Sequence, residues 1–164
     1  MKSSQRENHS SELASGGPRF RIDPELTGKV RFSLEFCIPS ELRMVGPVVG
    51  YFSRLARGHA FKSAVWAEAM PLAVDEALSN AIRHGNAEDP AREVHISAEM
   101  DAGGLEIVVE DQGPGFDPEA LPDPSSEEGK LRANGRGVFL MKELCDRVIY
   151  EEDGRRVRLY FKRN

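Results

Sequence analysis

The chain has 164 residues, 22 basic and 27 acidic side chains, a formal net charge of −5 and two cysteines, which is enough length to bury about 70% of the unfolded surface in one core. The acidic balance argues against direct binding to nucleic acid, and Cys37 and Cys145 stand apart from any metal or redox motif. With no apolar run of about 18 residues and no signal-like N-terminus, neither membrane insertion nor secretion is expected, and a reduced, cytoplasmic setting fits best.

Residues 1 to about 25 open on MKSSQRENHSSELASGGP, a polar, serine-rich stretch that cannot offset its ordering entropy. A flexible tail is expected there, followed by one domain over 26–164. From Val30 the pattern alternates strictly: Val30, Phe32, Leu34, Phe36 and Ile38 share one side, with Arg31, Ser33, Glu35 and Cys37 on the other. This predicts a strand with one buried face, stopped by Pro39. Ser40 is placed to cap a helix running to about Arg57, with Pro47 marking a kink or a delayed start and Gly58 closing it.

A second helix is predicted from about Lys62 to His84, with a possible kink at Pro71, and Gly85 is read as its left-handed stop. Within it lies DEALSNAIRHG, Asp75 to Gly85. Each helical residue turns the direction by roughly 100°, so Glu76 and Asn80 project from nearly one face. Ala73, Ala77 and Ala81 are small enough to let a sheet or ligand approach closely, and Val74, Leu78 and Ile82 form an apolar row. Taken alone, such a polar pair is usually solvated surface.

Val94, Ile96, Ala98 and Met100 then mark a second half-buried strand, Gly103-Gly104 a turn, and Leu105, Ile107 and Val109 a third strand. Continuing that parity places Asp111 on the apolar side, where a carboxylate is costly unless hydrogen-bonded. Residues 113–132 are proline-rich, acidic and loop-like, a length that suggests a functional lid. Asn134-Gly135-Arg136-Gly137 opens a third helix with an apolar face of Val138, Leu140, Met141, Leu144 and Cys145. Two last strands, about Arg147 to Glu151 and Arg155 to Lys162, are joined at Asp153-Gly154. The order predicts an α+β fold: a two-layer sandwich whose mostly antiparallel or mixed sheet is covered on one face by helices.

Three segments gain meaning together: EALSN on a helix, DQGPGF at a strand end, and NGRG opening a helix. In order and spacing they resemble the N box and the two glycine boxes of the GHKL ATPases, the superfamily of gyrase, histidine kinases and heat-shock chaperones, over about residues 28–162. Within it, EALSNAIRHG and GRGVFLMKELCD look most like the small bacterial anti-sigma factors that are also serine-protein kinases. Histidine kinases share the nucleotide site but add a dimerising hairpin with a phospho-accepting histidine, and no helical periodicity surrounds His9.

The resemblance implies ATP and Mg²⁺ as cofactors. Asp111 can accept a hydrogen bond from the adenine amino group, where guanine would present a second acceptor. Gly113 and Gly115 let the backbone approach the base, and Gly135 and Gly137 lie at a helix N-terminus suited to phosphate. Asn80 offers one oxygen to Mg²⁺, and Glu76 is placed to orient or deprotonate an attacking hydroxyl. For Arg132 and Arg136, phosphate contact and solvated lid charge are equal readings. A salt bridge to Arg83 or another helix residue is the competing role for Glu76, and a strand-end cap the competing role for Asp111. The implied partners are a sigma factor and an anti-anti-sigma (STAS-like) protein, the implied assembly a homodimer, and the implied reaction transfer from ATP to a serine or threonine. The other function class compatible with these residues is an ATP-gated switch that sequesters its partner without transfer.

Overall fold

Alternation along the strands decides the architecture. The computed structural model describes residues 32–57, 64–101, 103–118, 120 and 136–162. Expectations for the tail at 1–25, for Val30, Gly58 and Lys62, and for most of the lid, including Arg132 and Gly135, lie outside them. The strands are β1 (Phe32–Pro39), β2 (Glu93–Met100), β3 (Gly104–Glu110), β4 (Arg147–Glu151) and β5 (Arg156–Lys162). They form one sheet in the order β1-β2-β3-β5-β4, with every neighbouring pair antiparallel. Of the antiparallel and mixed alternatives, the sheet adopts the first, because hairpin links join β2 to β3 and β4 to β5 and neither needs a crossover.

The side chains of Leu34, Phe36, Ile38, Val94, Ile96, Ala98, Leu105, Ile107, Val109, Leu159 and Phe161 are all buried on one face. A one-residue slip would turn each row into water, at about 1.5 to 3 kcal/mol per large side chain, so the register is strongly specified. No described helix covers the opposite face, which carries charge in cross-strand rows. His95 meets Glu35 at 2.7 Å, Arg156 bonds Glu110 at 2.9 Å, and Arg158 bonds Glu106 at 2.8 Å and Glu151 at 3.0 Å. The β2–β3 turn is held by Asp101, whose Oδ1 accepts the amides of Gly103 and Gly104.

Among the described residues, three helices cover the apolar face: α1 (Val45–Arg57), α2 (Ala64–Asn80) and α3 (Arg136–Leu144). The middle one, α2, packs against both others, and Met70, Ala73, Val74, Ala77 and Leu78 are almost fully enclosed. Trp66 at its start stands edge-on to Phe161 of β5. Pro71 lies inside α2 without ending it. On α3, Val138 and Met141 are buried, followed by Cys145, while Leu140 and Leu144 are half-buried.

Several local expectations are corrected. The first helix does not start at Ser40: a short 3₁₀ turn, Leu42–Met44, precedes α1, and no side chain caps it. Pro47 therefore falls in the first turn of α1, where a missing N–H costs nothing; the delayed start is the outcome, not the kink. The β4–β5 connection runs through a 3₁₀ turn, Glu152–Gly154, with Glu152 and Asp153 at φ 52° and 55° and Gly154 at 83°. It is thus longer than the tight turn predicted at Asp153-Gly154. Gly85 is not a left-handed stop either, because the positive φ values after α2 belong to Ala87 and Glu88. The chain leaves α2 through a wider turn, Ala81–Gly85, closed by the Asn86 amide on the Ala81 carbonyl at 2.8 Å. Glu88 N–H then reaches back to the Ile82 carbonyl at 2.8 Å, so the late carbonyls of the helix are still satisfied.

Candidate functional site

The end of α2 and the wide turn that follows it are where the three predicted segments meet. Glu76 and Asn80 are half-buried on the side of α2 toward α3. Gly137, in the first turn of α3, lies so close that a Cβ there would overlap the Glu76 carboxylate and come within 3.1 Å of Asn80 Nδ2. The absent side chain is what lets the start of α3 lie on the two polar groups. Arg136 is exposed beside it, and Gly135 lies outside the described residues.

At the end of the same helix, the carboxylate of Asp111 lies directly over Gly85, in space a Cβ would fill, and Gly113 lies against the Gly85 carbonyl. Asp111 has 8% exposure, as its strand parity requires. Its Oδ1 accepts the Gly113 amide at 2.8 Å, and its own amide donates to the Arg155 carbonyl at 3.0 Å. The strand-end capping role weighed from sequence is therefore present, and it occupies one oxygen. Gly115, at φ 81°, packs on the Asp153 carbonyl, a position that a side chain would block twice over.

Burial raises the Asp111 carboxyl above the ordinary range, opposed by the Gly113 amide and Arg155. Burial also raises Glu76, assisted by the neighbouring Asp75 and opposed at a distance by Arg83. Among the described residues, Glu76 forms no salt bridge with Arg83, which is exposed, so that competing role is not filled. A carboxylate with raised proton affinity beside a neutral amide can accept a proton, and the amide oxygen can ligate a hard cation. His84 is exposed at the helix end.

The sign of the Asp111 shift gives a stability test. A carboxyl raised on folding favours the folded state only while protonated, and this contribution is lost as pH rises through its folded value. Asp111→Asn keeps the acceptor for Gly113 and removes the buried charge, so it should melt a few degrees higher than wild type at neutral pH. That difference should close as pH falls below the ordinary aspartate range, about 3.9. A thermal melt series in which the variant is less stable at pH 7 would refute the sign.

Beyond Gly115 the chain borders a cavity of about 700 Å³, lined among others by Pro114, Phe116, Lys142, Val148 and Tyr150. Glu76, Asn80 and Asp111 do not line it. Phe116 stands edge-on to Tyr150 at 5.4 Å between ring centroids, and the buried Tyr150 hydroxyl has no hydrogen-bond partner among the described residues. Burial raises its pKa.

Two residues of this region escape sequence reading. Asn86, wholly buried, reads as loop, and Ser40, also wholly buried, reads as a helix cap. In the fold they bond each other, Asn86 Nδ2 to Ser40 Oγ at 2.6 Å. An alternation count places strand residues; it gives no signal for a loop side chain pointing inward.

Comparison with known proteins agrees with this geometry. The family described as "Histidine kinase-like ATPase domain" matches residues 38–161. The serine-protein kinase RsbW of Bacillus subtilis is 30% identical over 125 residues, 70% of this chain and 75% of that protein. RsbW of Oceanobacillus iheyensis is 29% identical, covering 70% and 76%. The anti-sigma F factor of Shouchella clausii is 34% identical over a shorter span, 46% of this chain and 53% of the relative.

Proposed function

We propose that this chain, which belongs to the histidine kinase-like ATPase domain family, is an ATP-dependent protein serine kinase and anti-sigma factor that phosphorylates an anti-anti-sigma partner. The observation that carries the reading is the convergence on α2 and the turn after it: Gly137 lies on Glu76 and Asn80, while Asp111 and Gly113 lie on Gly85. Relatives named serine-protein kinase and anti-sigma F factor support the same assignment.

In this reading Asp111 accepts from the adenine amino group with the oxygen that Gly113 leaves free, and Gly113 and Gly115 keep side chains off the base. The start of α3, with Gly137 and, beyond the described residues, Gly135, receives phosphate, with Arg136 beside it. Asn80 is the residue that would hold Mg²⁺, through its side-chain amide oxygen. When bound, the ion neutralises phosphate charge during transfer. Glu76 takes the proton of the attacking serine hydroxyl, for which its raised proton affinity is suited. The oxygen of that hydroxyl bonds to the γ-phosphorus as the bond to the ADP oxygen breaks.

The test is single-turnover transfer from labelled ATP to captured anti-anti-sigma proteins. An acid-stable phosphoserine or phosphothreonine is expected. If wild type transfers nothing while nucleotide still controls partner binding, the kinase reading fails and an ATP-gated switch replaces it.

A homodimer gripping a sigma factor through the approach to α1 completes the proposal. Arg43, on the turn before α1, is 76% exposed and pairs with Glu41. Arg43→Glu should abolish capture of the sigma factor without changing ATP affinity. Unchanged capture removes Arg43 from that surface, and a monomer by light scattering at high concentration removes the dimer.

A further inference from the structure

Among the described residues, Ser40, Asn86 and Asp111 are the buried polar side chains; a hydrogen bond joins Asn86 to Ser40, and another joins Asn86 to the backbone of Gln112, the chain neighbour of Asp111. Asn86 uses every polar atom it has. Its backbone N–H closes the wide turn on the Ala81 carbonyl at 2.8 Å, and its carbonyl accepts from Asp89 N–H at 3.1 Å. Its Oδ1 accepts from the Gln112 amide at 2.7 Å, and its Nδ2 donates to Ser40 Oγ at 2.6 Å and to the Glu93 carbonyl at 3.0 Å. Gln112 answers from the other side, its Oε1 accepting the Glu93 amide at 2.9 Å.

The consequence lies in adjacency. Gly85 and Asn86 are consecutive, as are Asp111 and Gln112. Gly85 faces the Asp111 carboxylate, and Asn86 bonds the Gln112 amide, so two neighbouring contacts clamp one segment to the other. We propose that Asn86 is a positioning residue for adenine selection: it fixes Gln112, and through it holds the Asp111 carboxylate against Gly85, with Ser40 tying this clamp to the approach of α1. The proposal rests on the ATP-binding reading and adds to it a residue outside the three recognised segments.

The chemistry is specific to asparagine. Aspartate would set a carboxylate against the Glu93 carbonyl and Ser40 oxygen, glutamine is one methylene too long for an enclosed site, and alanine orphans the Gln112 amide and the Glu93 carbonyl. The same bonds also tether β1, β2 and β3 near their ends, so loss of stability alone would not separate positioning from fold support.

The experiment therefore measures ATP and GTP affinity by calorimetry, with amide hydrogen exchange at Gln112 and Gly113 in the nucleotide-free protein. It uses wild type, Asn86→Ala, the milder Ser40→Ala, and Phe52→Leu as a core variant of α1 that lowers stability away from the site. Asn86→Ala should speed exchange at both amides and reduce the ATP over GTP preference by about tenfold to a hundredfold. Ser40→Ala should shift both in the same direction by less, and supplies the test if Asn86→Ala does not fold. Phe52→Leu should leave the preference unchanged. In an Asp111→Asn background the Asn86 change should cost no further preference, because the group it positions is already altered. A preference that survives in both Asn86→Ala and Ser40→Ala, or one that falls equally in Phe52→Leu, overturns the positioning role while ATP binding stands. A wild type without preference for ATP overturns the nucleotide reading itself, and the adenine role of Asn86 with it.

Discussion

Replacing Glu76 with glutamine should lower single-turnover phosphotransfer by about 10²-fold or more while ATP and partner still bind. Glutamine keeps the shape that Gly137 packs against, so the approach of α3 to α2 is preserved. What it loses is the ability to take a proton. The Glu76 carboxyl is raised mainly by burial and then by Asp75, which makes it a better base near neutral pH than an exposed glutamate. Asn80→Ala should fail differently: without the amide oxygen for Mg²⁺, nucleotide affinity falls first and transfer falls with it. Labelled-ATP transfer and calorimetry on both variants check the division of roles. Equal loss of binding in both would show that Glu76 acts on the ground state, not on the reacting hydroxyl.

A single methyl group at Gly85 should abolish ATP binding and destabilise the fold by about 1 to 3 kcal/mol. In Gly85→Ala the new Cβ would occupy the space of the Asp111 carboxylate. Something must shift, and both candidates are fixed: Asp111 by the Gly113 amide, and the end of α2 by the Asn86 and Glu88 amides on Ala81 and Ile82. The same substitution at Gly46 is the control, since a Cβ there meets nothing within 4 Å. Gly46→Ala lies in a helix, so it should be neutral or stabilising by up to about 1 kcal/mol. Thermal melts and ATP titration of the pair separate steric conflict at the site from the ordinary effect of losing a glycine. If Gly85→Ala binds ATP normally, Asp111 does not need its observed position.

Much of this site can be counted from the sequence. Parity along Leu105, Ile107 and Val109 carries Asp111 to the buried face without any tertiary knowledge, and helical spacing sets Glu76 beside Asn80. What counting cannot supply is the partner across a gap. Gly85 looks like a helix stop because glycines after helices usually are; its actual reason, room for a carboxylate contributed by β3, exists only once the sheet is assembled. Ser40 fails for a related reason. A serine after a strand and before a helix has a local role available, and tertiary structure assigns it a different one, on Asn86. Asn86 itself sits among Gly, Ala, Glu, Asp and Pro, where every cue reads as surface.

The open face of the sheet has a bearing on how such a domain can diverge. Its rows pair acid with base, Glu35 with His95, Glu110 with Arg156, and Glu106 and Glu151 with Arg158, and none of these side chains points toward the helices. Partly exposed surface pairs of this kind contribute little individually. Substitutions there can accumulate, exchange sign or recruit a new neighbour with small cost to folding, while the helical side stays constrained by one methyl group at Gly85. The chain thus separates a surface that is free to drift from one that is not, and a copy acquiring a new regulatory partner could do so on the far side of the sheet with its phosphate chemistry untouched.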